Sequence, residues 1–139
     1  MWVNNEVGVV QPVDAIASRC HDAGVPFHTD AVQAFGKIPI ALQSIPLSLL
    51  TLSGHKIGAP KGIGALVVRA RGVVDAIIHG GGQQYGIRPG TENVAGAVAL
   101  GRAATLARRE VAGEAMRLAA LRDQLAARLC AAVTDVVVH

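Results

Sequence analysis

The chain has 139 residues, 51% hydrophobic and 17% charged, with a formal net charge of +3 at pH 7. That balance excludes a disordered chain and allows one domain with a real hydrophobic core. The basic residues are dispersed, the densest pair being Arg108-Arg109 beside Glu110, and they do not interleave with the few aromatics, so no nucleic-acid partner is expected.

No apolar run approaches the roughly 20 residues needed to span a bilayer, and no membrane association is expected. The opening Met1-Trp2-Val3-Asn4-Asn5-Glu6 does not read as a secretory signal. Cys20 and Cys130 lack metal-type spacing, which suggests a cytoplasmic protein with reduced thiols. The Ala- and Val-rich apolar content suits a buried parallel sheet wrapped by helices.

In chain order, residues 13–23 read as a helix, with Pro12 at its first turn, Ile16 and Cys20 on one face and Gly24 as the stop. Residues 25–29 form a short strand candidate, followed by Asp30. Residues 48–52 form a second, ending at Ser53-Gly54-His55-Lys56, and residues 63–69 a third. Strands separated by helices point to an α/β sheet, whose ligands gather beyond the carboxyl ends of the strands. From 92 to 133 there is no proline, and Leu118, Leu121, Leu125 and Leu129 recur at helical spacing. Thr91 is the expected cap. One continuous helix would be a rod of roughly 60 Å, too long for so small a domain, so Gly113 is expected to divide it in two. Residues 134–139, with Val136-Val137-Val138, read as the start of a further strand, as if the chain were truncated.

Lys56 follows an apolar strand, with a hydroxyl and an imidazole just before it. Partial desolvation there would free its amine for imine chemistry, while Ser53 and His55 could donate to a phosphate. An exposed loop lysine is the plain alternative. Asp30 either caps a helix after it or pairs with a buried cation such as a pyridinium nitrogen, and Gln33 could present its amide to a ring hydroxyl. Thr91 opens a helix that would favour a phosphate, or serves simply as a cap. Asn4-Asn5-Glu6-Val7-Gly8 resembles an ordinary turn. No phosphate loop, dinucleotide fingerprint or metal-type histidine pairing is present. Cys20 and Cys130 read as small core residues rather than nucleophiles.

Residues 1–8, His28-Thr29-Asp30-Ala31-Val32-Gln33, Ser53-Gly54-His55-Lys56, Pro60-Lys61-Gly62-Ile63-Gly64, His79-Gly80-Gly81-Gly82-Gln83 and Arg88-Pro89-Gly90-Thr91-Glu92-Asn93 together resemble the NifS/IscS-type cysteine desulfurases. These belong to class V of the pyridoxal-phosphate (PLP)-dependent aminotransferase superfamily. The resemblance covers Met1 to about Arg109, with a looser helical remainder. It implies an α/β fold, part of the large PLP-binding domain of a fold-type I enzyme, with a mixed, mostly parallel sheet and flanking helices, truncated at both ends. Residues 1–109 would form the central part of that domain, and 110–139 a connecting helix and the start of the small C-terminal domain.

The resemblance also implies roles. Lys56 would hold pyridoxal 5'-phosphate as a Schiff base and move the substrate's α-proton. Asp30 would pair with the pyridine nitrogen and Gln33 with the ring oxygen. Ser53 and His55 would bind the phosphate, Thr91 would reach the cofactor of the partner subunit in a homodimer, and Asn5 would help to place the substrate. The implied reaction removes sulfur from L-cysteine, giving L-alanine and an enzyme persulfide that serves an iron–sulfur scaffold or another sulfur acceptor protein. The family's persulfide cysteine and carboxylate-binding arginine have no counterpart here, so the isolated chain is expected to be inactive. Alternatives are another class V enzyme (a selenocysteine lyase or a small-amino-acid aminotransferase) or a non-catalytic dimerising remnant.

Overall fold

The computed structural model describes residues 1–69 and 72–138. Helix α1, Val13–Asp22, forms close to its expected bounds. Asp14 sits in its first turn and Arg19 in its last, charges that complement the helix dipole. Pro12 stands at the cap, and the chain leaves through Gly24 at φ +66°, where a side chain would be strained. The helix buries Val13 and Ala17.

Strand β1 is His28–Asp30, β2 is Leu49–Ser53 and β3 is Gly64–Val68. The sheet order is β1-β2-β3. β1 runs parallel to β2, with Asp30 opposite Thr51, and β2 runs antiparallel to β3, with Ser53 opposite Gly64. The sheet is therefore mixed, as expected, though only one of its two described pairings is parallel. β1 is shorter than expected because Pro26 has no N–H for a ladder. Phe27 still ties to the second strand: its N–H donates to Ser48 Oγ, and its carbonyl accepts from Ser48 and Leu49.

The core gathers Trp2, Val13, Ala17, Ala31, Ala34, Ile45, Leu47 and the fully buried Leu50. Trp2 brings the N-terminal segment to the sheet edge: its N–H donates to the Asp30 carbonyl at 2.8 Å, and its carbonyl accepts from Gln11 at 2.8 Å.

Helix α2, Val94–Ala132, is one element of 39 residues, not two divided at Gly113. A helical glycine costs only about 1 kcal/mol relative to Ala, and the flanking Ala, Leu, Arg and Glu residues are strong helix formers. α2 can reach this length because it does not have to lie wholly on the sheet. It buries Gly96 and Ala103, while Leu118, Leu121, Leu125 and Leu129 are 45–59% exposed. Cys130 is likewise exposed rather than in a core. The cap is Asn93, whose side chain accepts from the Gly96 N–H at 2.9 Å; Thr91 lies two residues too early. Residues 136–138 are not a strand. Asp135 turns the chain at φ +62°, and no described strand lies alongside to pair with them; residue 139 of that expected strand lies outside the described residues. Among the described residues, no helix is long and apolar enough to cross a membrane.

Candidate active site

Because β1 and β2 are parallel, their carboxyl ends open on the same edge. Asp30 ends β1, and the Ala31 N–H after it donates to the Thr51 carbonyl. β2 runs on into a single 3₁₀ turn, Gly54–Ile57, which carries His55 and Lys56. The turn is closed by Gly58 at φ +86°, whose N–H is linked to the Gly54 carbonyl. Gly54 is buried, and a Cβ there would stand 2.9 Å from Ile63 Cγ2 and 3.0 Å from Ala59 Cβ. Glycine thus lets this turn press onto the chain entering β3, which fixes where Lys56 leaves the sheet.

Asp30 is half-buried. Its Oδ1 accepts from the Val32 N–H at 2.8 Å, while Oδ2 makes no hydrogen bond among the described residues. The expectation that Asp30 caps a helix is met only locally, because residues 32–37 form turns rather than a helix. Ser53 Oγ and His55 Nδ1 pair at 2.8 Å, and His28 Nε2 pairs with Thr51 Oγ1 at 3.2 Å across the two strands. Hydroxyl, imidazole, carboxylate and amine groups are therefore delivered to one edge by two strands. Lys56 itself is exposed.

Gln33 lies in the turns after Asp30, and its Oε1 accepts from Lys37 Nζ. Partial burial pulls the Lys37 ammonium below the usual lysine range, and the neighbouring Lys56 charge adds to this. Both lysines line a groove of about 660 Å³ between the Lys56 turn and α2. Reading the sequence missed Lys37; its spacing four residues after Gln33 was the available signal.

Two expected residues are not drawn into this cluster. Asn5 is exposed in the turn between Val3 and Val10, and it is Asn4 that braces the turn, its Oδ1 accepting from Glu6 and Val7. Asn5 makes no side-chain hydrogen bond among the described residues, although Trp2 holds its segment against Asp30. Thr91 is exposed and follows a loop bonded to itself: Arg88 donates to the carbonyls of Pro89 and Gly90, and Gln83 accepts from the Gly90 N–H. That loop borders a different groove, at the start of α2. Among the described residues no cluster of three or more His, Cys, Asp or Glu side chains could hold a metal ion.

Known proteins are similar to this chain in sequence and fold. A cysteine desulfurase of Gluconacetobacter diazotrophicus is 56% identical over 126 residues, covering 90% of this chain and 31% of its own. A NifS-like protein from Rickettsia africae superposes with a TM-score of 0.86 at 35% identity, over 92% of this chain and 36% of the other. The structure of SspA in complex with cysteine superposes with a TM-score of 0.71 at 45% identity, over 75% of this chain and 30% of the other. The chain spans about a third of the length of the curated relatives it matches. Over that span it has the α/β fold of the NifS-like proteins. The family model for class-V aminotransferases matches residues 1–136, and the chain belongs to that family.

Proposed function

We propose that this chain contributes the central part of the cofactor-binding domain of a pyridoxal-phosphate-dependent cysteine desulfurase, with Lys56 as the cofactor lysine. The observation that carries the reading is the parallel β1–β2 pair, which brings Asp30 and the Ser53–His55–Lys56 turn out on one edge. The donor set fits the group. Asp30 Oδ2 is free to face a pyridinium nitrogen, Gln33 offers an amide, Ser53 and His55 offer polar hydrogens to a phosphate, and Lys56 offers a primary amine to an aldehyde carbon. When bound, pyridoxal phosphate supplies an electron sink for a carbanion formed at the substrate's α-carbon.

The chain's own residues then divide the work. Lys56 anchors the cofactor and moves the α-proton through its Nζ. Asp30 keeps the ring nitrogen protonated by charge pairing, and Asn5 helps to orient the substrate. Thr91, which does not line the Lys56 groove, suits a role toward the partner subunit's cofactor in a homodimer. Residues 1–109 belong to the cofactor-binding domain, and 110–139, which include the second part of α2, supply the connection to a smaller domain and its beginning. L-cysteine is the substrate in this reading, and the sulfur passes to an iron–sulfur scaffold or another acceptor protein in the cytoplasm. In this reading neither Cys20, in α1, nor Cys130, near the end of α2, corresponds to the family's sulfur-accepting cysteine, and the isolated chain releases no sulfide from cysteine.

Mixing the 139-residue chain with pyridoxal 5'-phosphate tests the reading. A visible absorbance band should form, and borohydride should fix the label on the peptide that carries Lys56; Lys56→Ala should lose both. The absence of a band, or a label fixed mainly elsewhere, overturns the assignment of Lys56.

A further inference from the structure

We propose that Lys37 is a positioning residue that fixes the carboxamide of Gln33, leaving its Nε2 hydrogens as the end free to meet the cofactor's ring oxygen. The inference rests on the proposed cofactor role for what Gln33 faces, but its structural half stands alone. An amide can be turned either way, presenting an acceptor or a donor. An ammonium has only donors, so a lysine bonded to Gln33 selects the Oε1 end and determines the flip.

The contact is built into the local chain. Ala31 accepts from the N–H groups of Ala34 and Phe35, and Ala34 accepts from those of Lys37 and Ile38, so Gln33 and Lys37 share one wound segment. Between them Gly36, at φ +75°, is pressed against Ile57 and Ala107, which fixes the segment to the Lys56 turn and to α2. The charged groups lining the same groove are Lys56 from the turn and Arg102, Glu110 and Glu114 from α2. Glu114 is engaged by Arg117, and Lys37 makes no salt bridge among the described residues, so the amide oxygen is its partner. The burial and like charge that lower the Lys37 pKa make the interaction separable by pH.

The test follows the Gln33 side-chain carbonyl carbon by NMR in the 139-residue chain, without cofactor. In the wild type it should shift with pH, with a midpoint below that of a free lysine, as the Lys37 ammonium is lost. Lys37→Met should abolish the shift, while Lys37→Arg should hold the carbon at the wild-type neutral-pH position to the top of the range. With pyridoxal 5'-phosphate, Lys37→Met should weaken binding about three- to tenfold, the equivalent of one ordinary hydrogen bond, and Lys37→Arg should restore most of it. A Gln33 carbon that ignores pH in the wild type, or titrates equally in Lys37→Met, overturns the proposal. A Gln33 carbon that titrates in a chain unable to bind the cofactor supports the positioning role and sinks only the cofactor reading.

Discussion

Gly36 and Ile57 meet with no room for a side chain between them. A Cβ on Gly36 would stand 2.9 Å from Ile57 Cγ2 and 3.0 Å from Ala107 Cβ. The segment after β1, the turn that carries Lys56 and helix α2 therefore converge on one missing methyl group, and the placement of the lysine depends on it.

Gly36→Ala should cost about 2–4 kcal/mol, combining a left-handed backbone with overpacking. Gly58→Ala supplies the control. Gly58 has φ +86° but open space around its Cβ position, so only the backbone cost of about 1–2 kcal/mol applies. Urea unfolding of both variants checks the difference, and equal losses would remove the packing role of Gly36.

Asp30→Asn keeps an acceptor for the Val32 N–H and removes the charge. Pyridoxal 5'-phosphate affinity should fall about ten- to hundredfold, the worth of one charge-assisted hydrogen bond, with the fold intact by circular dichroism. An unchanged affinity in an absorbance titration would exclude Asp30 as the ring-nitrogen partner.

Asn93→Ala should destabilise the chain by about 1 kcal/mol through loss of the α2 cap. Thr91→Ala should stay within about 0.5 kcal/mol of wild type, since Thr91 makes no side-chain hydrogen bond among the described residues. Denaturant midpoints of the two variants rank the two positions directly.

Glu114 is held below the usual carboxylate range, chiefly by its hydrogen bonds from Arg117. A depressed carboxylate pKa stabilises the folded form above the unfolded value, and the contribution is lost as pH falls through the folded value. Wild type should therefore exceed Glu114→Gln slightly in thermal midpoint near neutral pH, with the gap closing in acid and shrinking with salt. A gap that grows in acid would contradict the pairing.

The parts legible in the sequence were those whose signals are local. α1 announces itself through Pro12, its apolar face and Gly24, and β2 through four apolar or β-branched residues running into Ser53. The edge that unites Asp30 with Lys56 also comes from their positions after strands, because α/β sheets gather chemistry there. What escaped were competitions between neighbours and effects of the surroundings. Thr91 and Asn93 are both good caps, and only the backbone decides between them. Gly113 could not break α2, because one glycine is a weak penalty inside a long run of helix formers. The valines 136–138 have strand propensity, but a strand needs another beside it. Lys37 escaped because its importance lies in what it touches, and its one local cue, the spacing of four residues from Gln33, counts only once the segment between them is seen to be wound.

The parallel register of β1 on β2 has a kinetic corollary. His28–Asp30 can align with Leu49–Thr51 only after residues 31–48 have closed into a crossover, and such non-local pairing is slow to form. Until then Asp30 and Lys56 sit on unconnected stretches of chain. Acquisition of a lysine-bound cofactor colour during refolding would thus time the closure of that crossover and lag behind the helical signal of α2.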